Sequence, residues 1–192
     1  MDSQEKWNNR YREKDLPATP CSLLAAHQQV LPTEGRALDL ACGLGGNAIL
    51  LANAGLDCDA MDISDIAIAK LANYARQQQL KIQCQIADIE SAGLGLAHNT
   101  YDIIVVSYFL YRPLFPEIIA ALKPRGTIFY QTFVNTLDSL SGGPSKADFW
   151  LAKDELSLHF KQFTLDYYHE GIADYETGQV PTAKIIAHKM PS

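Results

Sequence analysis

Residues 37–55 read ALDLACGLGGNAILLANAG, and this stretch decides the fold. Its start continues Arg36 into a short strand, RALDL. A glycine-rich turn, ACGLGG, follows without a break. NAILLANAG then reads as a helix closed by Gly55 as its C-cap. Gly43 and Gly45 lack Cβ, so a ligand can approach their backbone closely. The helix beyond them opens with a partial positive charge at its N-terminus. A strand running through such a turn into a helix binds ligand at the carboxyl edge of an open parallel sheet, where strand order reverses.

Outward from this turn, strand and helix alternate. Residues 57–61 (DCDAM) read as a second strand ended by Asp62, and Ser64 is a good N-cap for the helix that follows. Residues 81–87 (KIQCQIA) alternate with period two, as a third strand does. Residues 88–99 have room for only a turn or two of helix. The apolar run 101–106 (YDIIVV) suits a central parallel strand covered on both faces. Pro113 fits the first turn of a helix through Leu122, and residues 127–133 form a fifth strand. A Ser-, Gly- and Pro-rich loop comes next, then a short helix over 154–160. Residues 163–168 and 182–188 read as two closing strands separated by Gly171, Gly178 and Pro181. Upstream, residues 21–31 read as a helix stopped by Pro32. The first twenty residues are polar except for Trp7 and Tyr11, which share a helix face. This alternation predicts a mostly parallel sheet with right-handed crossovers and an antiparallel end, in one domain over 1–192.

Two further carboxylates stand where a nucleotide site needs them. Asp62 ends the second strand about twenty residues past the loop, placed to accept from both ribose hydroxyls. Asp88 ends the third strand, placed to accept from an adenine amino group. A nicotinamide dinucleotide is the rival ligand, because Gly43, Gly45 and Ala48 satisfy G-x-G-x-x-G/A. Asp39, just ahead of the loop, argues against it: a carboxylate there suits a cationic amino-acid ligand and repels a pyrophosphate. A chain of 192 residues also leaves little room for a second domain to hold a hydride acceptor. No Lys–Ser/Thr pair follows the glycines, which excludes a P-loop.

Composition narrows the classes further. The net charge is −6 and no Lys/Arg run occurs, so no nucleic-acid partner is expected. Cys21, Cys42, Cys58 and Cys84 form no C-x-x-C pair and no His lies at zinc spacing, so no metal is expected and reduced thiols in a cytoplasmic protein are. The charged N-terminus has no apolar h-region, and no apolar run is long enough to span a bilayer. A monomer or homodimer is expected.

LDLACGLGGNA resembles the first motif of class I S-adenosylmethionine-dependent methyltransferases, with Ala41 where their first glycine usually stands. CDAMDIS resembles the second motif, ADIES the third, YDIIVVSYFLYR the fourth and ALKPRGTIFYQTF the fifth-strand region. Within that superfamily the chain looks like the small bacterial tellurite-resistance-type, TehB-like methyltransferases, through WNNRYRE and GGPSKADFWLAKDEL as well. The resemblance implies an α/β, Rossmann-like three-layer sandwich whose seven-stranded sheet is mostly parallel with an antiparallel C-terminal strand. It implies S-adenosyl-L-methionine as cofactor and methyl transfer to a small molecule, a thiol or chalcogen nucleophile among the choices. The implied cofactor set is Trp7, Tyr11, Arg12, Asp39, Ala41, Gly43, Gly45, Asn47, Asp62, Ile63, Asp88, Ile89 and Ser107. Asp39 would face the amino group of the methionine part, Asp62 the ribose, and Asp88 with the backbone of Ile89 the adenine. Trp7, Tyr11 and Arg12 would belong to an N-terminal lid over 1–20, and residues 134–150 to a substrate-side loop. On the acceptor side Tyr108, Arg112 and His169 are candidates. The fourth-strand end lacks the Asn/Asp-Pro-Pro-aromatic run that adenine methylation of DNA needs. A soft nucleophile needs no strong base, which fits the absence of an evident one. An NAD-dependent oxidoreductase and a non-catalytic cofactor-binding module of the same fold remain the alternatives.

Overall fold

The computed structural model describes residues 2–91, 93–135, 143–175 and 178–191. In chain order the elements are α1 (Ser3–Tyr11), α2 (Ser22–Ala26), β1 (Arg36–Leu40), α3 (Gly46–Asn53), β2 (Asp57–Asp62), α4 (Asp65–Gln77) and β3 (Ile82–Ile86). They continue with β4 (Tyr101–Ser107), α5 (Phe115–Ala121), β5 (Leu122–Phe133), α6 (Glu155–His159), β6 (Phe163–Tyr175) and β7 (Gly178–Lys189). The strands form one seven-stranded sheet in the order β3-β2-β1-β4-β5-β7-β6. The first five pair in parallel, and β7 runs antiparallel to both β5 and β6. Strand order reverses between β1 and β4, which is where an open α/β sheet leaves a crevice for ligand.

The sheet is covered on both faces, so its middle strand is apolar throughout. Along β4, Ile104 and Val106 enter one core and Ile103 and Val105 the other. The first core gathers α5 and α6 residues, including Phe115, Ile118 and Leu156. The second gathers Leu23 and Leu24 of α2 and residues of α3 and α4 such as Ile49 and Leu71. Ser64 caps α4 as its residue type predicts, its Oγ accepting from the Ala67 N–H at 3.1 Å.

Three expectations need correction. The helix over 21–31 is only α2, followed by a 3-10 turn at Gln28–Val30. Residues 87–100 carry no helix among the described residues. Leu94 and Leu96 instead donate their N–H groups to the Glu117 carboxylate of α5. The closing strands also run on through Gly171 and Pro181, which the sequence reading placed between them. Pro181 is tolerated because β5 pairs no further than Phe133 with Thr182, so no ladder donor is demanded at residue 181. Of the loop expected at 134–150, residues 136–142 lie outside the described residues.

Candidate cofactor and acceptor site

The turn after β1 passes through the left-handed region three times, at Ala41, Gly43 and Gly45, with φ of 56, 53 and 74°. Ala41 pays for this where glycine would not, at roughly 1–2 kcal/mol. At Gly43 and Gly45 the missing Cβ is required by space as well. A Cβ on Gly43 would stand 2.7 Å from the Tyr11 hydroxyl, and one on Gly45 would strike the Leu71 side chain.

Beneath this turn lies Asp39, fully buried. Its Oδ2 accepts the Ala48 N–H of α3 at 3.0 Å and its Oδ1 accepts from Asn47 Nδ2 at 3.2 Å. Burial pushes its pKa up to about 7, against the lowering effect of those two donors. The carboxylate is thus engaged by the first turn of α3. Asn47 is the link onward: Nδ2 also donates to Ser107 Oγ at 3.0 Å, while Oδ1 accepts the Cys21 N–H at 2.9 Å. Of this group Ser107, at the end of β4, is the partly exposed member.

Asp62 ends β2 with its carboxylate turned to the glycine turn. It accepts the Gly43 N–H at 2.8 Å and the Ser64 N–H at 2.8 Å. Burial raises its pKa, opposed by these backbone donors. A carboxylate offers about four acceptor sites, more than these backbone donors fill. Asp88 is exposed beyond β3, its Oδ1 accepting the Glu90 N–H at 3.1 Å, and Ile89 is buried beside it. Both lie on the same carboxyl edge of the sheet as Asp62.

Helix α1 lies across this edge. Its Trp7 and Tyr11 rings stack at 5.8 Å. Burial and the nearby Asp62 charge raise the Tyr11 hydroxyl pKa far above its ordinary value. Three sets of polar contacts fasten the helix. Gln4 Nε2 donates to the Ile63 carbonyl at 3.0 Å, and Ser64 Oγ donates to Asn8 Oδ1 at 2.7 Å. Lys70 Nζ donates to the carbonyls of Tyr11, Arg12 and Lys14 at 3.0, 2.7 and 2.7 Å. Arg12 is exposed and enters this fastening by its carbonyl; its guanidinium donates to Asn9 Oδ1 at 3.4 Å. Asn8 and Lys70 were not foreseen, because nothing in a polar run marks which residue meets a helix 56 or more positions away.

The acceptor-side candidates divide. Tyr108 follows Ser107 and packs against Phe133 and Tyr175, with ring centroids 5.2 and 4.5 Å away. Arg112 does not face this space. Its guanidinium donates to both Glu155 oxygens, at 2.6 and 3.0 Å, and to the carbonyls of Asp148 and Trp150, each at 2.9 Å. It brackets the segment before α6. His169 is exposed on β6, its ring lying over Gly171, where any Cβ would strike it. Among the described residues no three His, Cys, Asp or Glu side chains gather as metal ligands do, and no helix is long and apolar enough to cross a membrane.

A glycine turn at the switch point, a carboxylate ending β2 and a β7 antiparallel to its neighbours define the architecture of class I S-adenosylmethionine-dependent methyltransferases. The crystal structure of TehB from Haemophilus influenzae superposes with a TM-score of 0.77 at 22% identity, over 97% of this chain and 66% of that one. A SAM-dependent methyltransferase structure from Methanosarcina mazei gives 0.72 at 18% identity, over 91% of this chain and 100% of that one. The family described as tellurite resistance protein TehB matches residues 4–185, and the chain belongs to that family. Among curated proteins, "Hemagglutinin 1" of Eikenella corrodens is 30% identical over 88% of this chain and 56% of its own length. The "Probable S-adenosyl-L-methionine-dependent methyltransferase TehB" of H. influenzae is 28% identical over 72% of this chain and 49% of its own length. The chain thus spans about half the length of the curated relatives it matches.

Proposed function

We propose that this chain binds S-adenosyl-L-methionine and transfers its methyl group to a small molecule bearing a soft nucleophile, a thiol or a chalcogen. The observation that carries the reading is Asp62, which ends β2 beside the glycine turn and is held there by the Gly43 and Ser64 N–H groups. Asp62 would accept from the ribose hydroxyls, Asp88 and the Ile89 backbone would meet the adenine, and Ser107 with Asn47 would line the methionine part. Trp7 and Tyr11 on α1 would keep water from the site. When bound, the cofactor supplies a methyl carbon that takes the acceptor's lone pair as its bond to the sulfonium breaks, leaving a neutral thioether. The chain's part is alignment and exclusion of water, and a thiol that has already lost its proton to solvent needs no strong base.

Asp39 weighs against a nicotinamide dinucleotide. The N-terminus of α3 already holds a buried carboxylate on its Ala48 N–H, where a pyrophosphate would otherwise bind. Calorimetry with S-adenosylhomocysteine and with NAD decides between them: the adenosyl ligand binds and NAD does not. Asp62→Ala should weaken the adenosyl ligand by about 1.5–3 kcal/mol, the worth of hydrogen bonds to a charged acceptor. Tighter binding of NAD, or unchanged affinity in Asp62→Ala, overturns the reading. Formation of S-adenosylhomocysteine with a panel of thiols and chalcogenides separates an enzyme from a binding module.

A further inference from the structure

Past the end of β4, next to Ser107, the chain gathers an aromatic cluster around the buried Phe133 ring that the proposed cofactor contacts leave unassigned. Tyr108, Phe133 and Tyr175 touch one another, with centroids 4.5 to 5.2 Å apart, and Trp150 backs Phe133 at 5.6 Å. These residues come from the ends of β4, β5 and β6 and from the segment before α6. Tyr108 directly follows Ser107, and the Tyr175 hydroxyl accepts from Arg10 Nη2 of α1 at 3.2 Å. The glycine turn, against Tyr11, and the cluster, against Arg10, therefore both meet α1.

The cluster is held in place at a cost. Tyr108 has a φ of 53°, an outlier for a bulky aromatic side chain. Its N–H donates to the Gln131 carbonyl at 2.7 Å, and its hydroxyl accepts from Gln131 Nε2 at 2.5 Å. Gln131 is fully buried and fixed at its other end, where Oε1 accepts from the Leu23 N–H at 3.0 Å and from Ser22 Oγ at 3.1 Å. Ordinary core packing would not require a left-handed aromatic residue on a buried amide support.

We propose that the Tyr108–Phe133–Tyr175 surface receives the methyl acceptor, and that this acceptor carries an aromatic or alkyl body behind its soft nucleophile. The proposal rests on the methyl-transfer reading above and adds the acceptor class. A hydrated inorganic anion would lose its water against ring faces and gain no compensating donor. The neighbouring cations are already engaged: Arg10 lies 5.4 Å over the Trp7 ring and bonds Tyr175, and Lys184 Nζ donates to Ser22 Oγ at 3.1 Å. An apolar body buries area on the rings, and a polarizable sulfur makes favourable contacts with their edges.

The test compares two methylated products as ligands, thioanisole and dimethyl sulfide, by calorimetry with and without S-adenosylhomocysteine. Thioanisole should bind at least tenfold more tightly. Phe133→Leu and Tyr175→Leu, which remove the ring and keep an apolar side chain, should each cut that preference severalfold, with folding verified by thermal unfolding. Equal binding of the two ligands, or a preference that both variants leave intact, overturns the proposal. In turnover, thiophenol should exceed hydrosulfide in kcat/KM, and faster use of hydrosulfide also overturns it. If thioanisole is preferred and lost in the variants while no thiol is methylated, the acceptor surface stands and the thiol chemistry of the preceding section fails. If S-adenosylhomocysteine does not bind, the cofactor reading fails, and the thioanisole preference of the chain alone still decides this one.

Discussion

At Asp39 a single side chain carries a pH dependence. Its pKa is raised by burial from 3.8 to about 7, so the folded chain holds a proton there that the unfolded chain has released. The stability this contributes is fully present below about pH 4 and is lost as pH rises to about 7. Asp102 and Glu155, whose pKa values are lowered by hydrogen bonds and ion pairs that outweigh their burial, act in the opposite sense at lower pH. Urea unfolding of the chain and of Asp39→Asn isolates the effect. The difference in stability between them should change by a few kcal/mol, order of magnitude, between pH 4 and 7. A constant difference across that range would show that the carboxylate stays charged on its Asn47 and Ala48 donors. The role of Asp39 was only half legible beforehand. Its place before the glycines could be read, but its partners depend on how α3 leaves the turn.

Among the helices, α1 is bound least like the rest. None of its residues is fully buried, and polar contacts to Ile63, Ser64, Asp65 and Lys70 fasten it. Lys70→Met removes the ammonium that three carbonyls share and keeps most of the side chain's length. Amide exchange in residues 5–15 should then rise severalfold, and S-adenosylhomocysteine should leave faster, while exchange in β1 and β4 stays as it was. Unchanged exchange in residues 5–15 would mean that Asn8 and Gln4 hold the helix without the lysine. The helix, with Trp7 and Tyr11 on one face, was foreseen from two aromatic residues in a polar stretch, since apolar surface in such company needs a partner. Its fastening was not, because a lysine on α4 looks like any solvated lysine until the carbonyls it meets are in place. Arg112 shows the same limit, as its partner Glu155 stands 43 residues away.

Across the whole molecule, a mostly parallel sheet with an antiparallel end could be read from the alternation of strands and helices, which leaves few topologies. The extent of the last hairpin could not. Gly171 and Pro181 interrupt a strand pattern locally, and only the end of β5 at Phe133 explains why Pro181 does not break this one. That hairpin closes the core: β7 covers β5 from Thr127 to Phe133 and contributes Ala183, Ile185 and Ala187 to one face and Ile186 to the other. A chain ending at residue 162 should therefore fail to fold, leaving Phe129 and Tyr130 beside an open edge, and should elute as aggregate in size-exclusion chromatography. A monodisperse product with cooperative thermal unfolding would contradict this. The glycine turn belongs to the other extreme of the molecule's behaviour. α3 is pinned by backbone at both ends: side chains at Gly46 and Gly55 would strike the carbonyls of Thr19 and Thr33. One wall of the crevice is thus welded to the core and the other is tied on from outside. On the proposed cofactor reading, ligand exchange would run on the timescale of a surface helix lifting, far faster than global unfolding, without loosening the sheet.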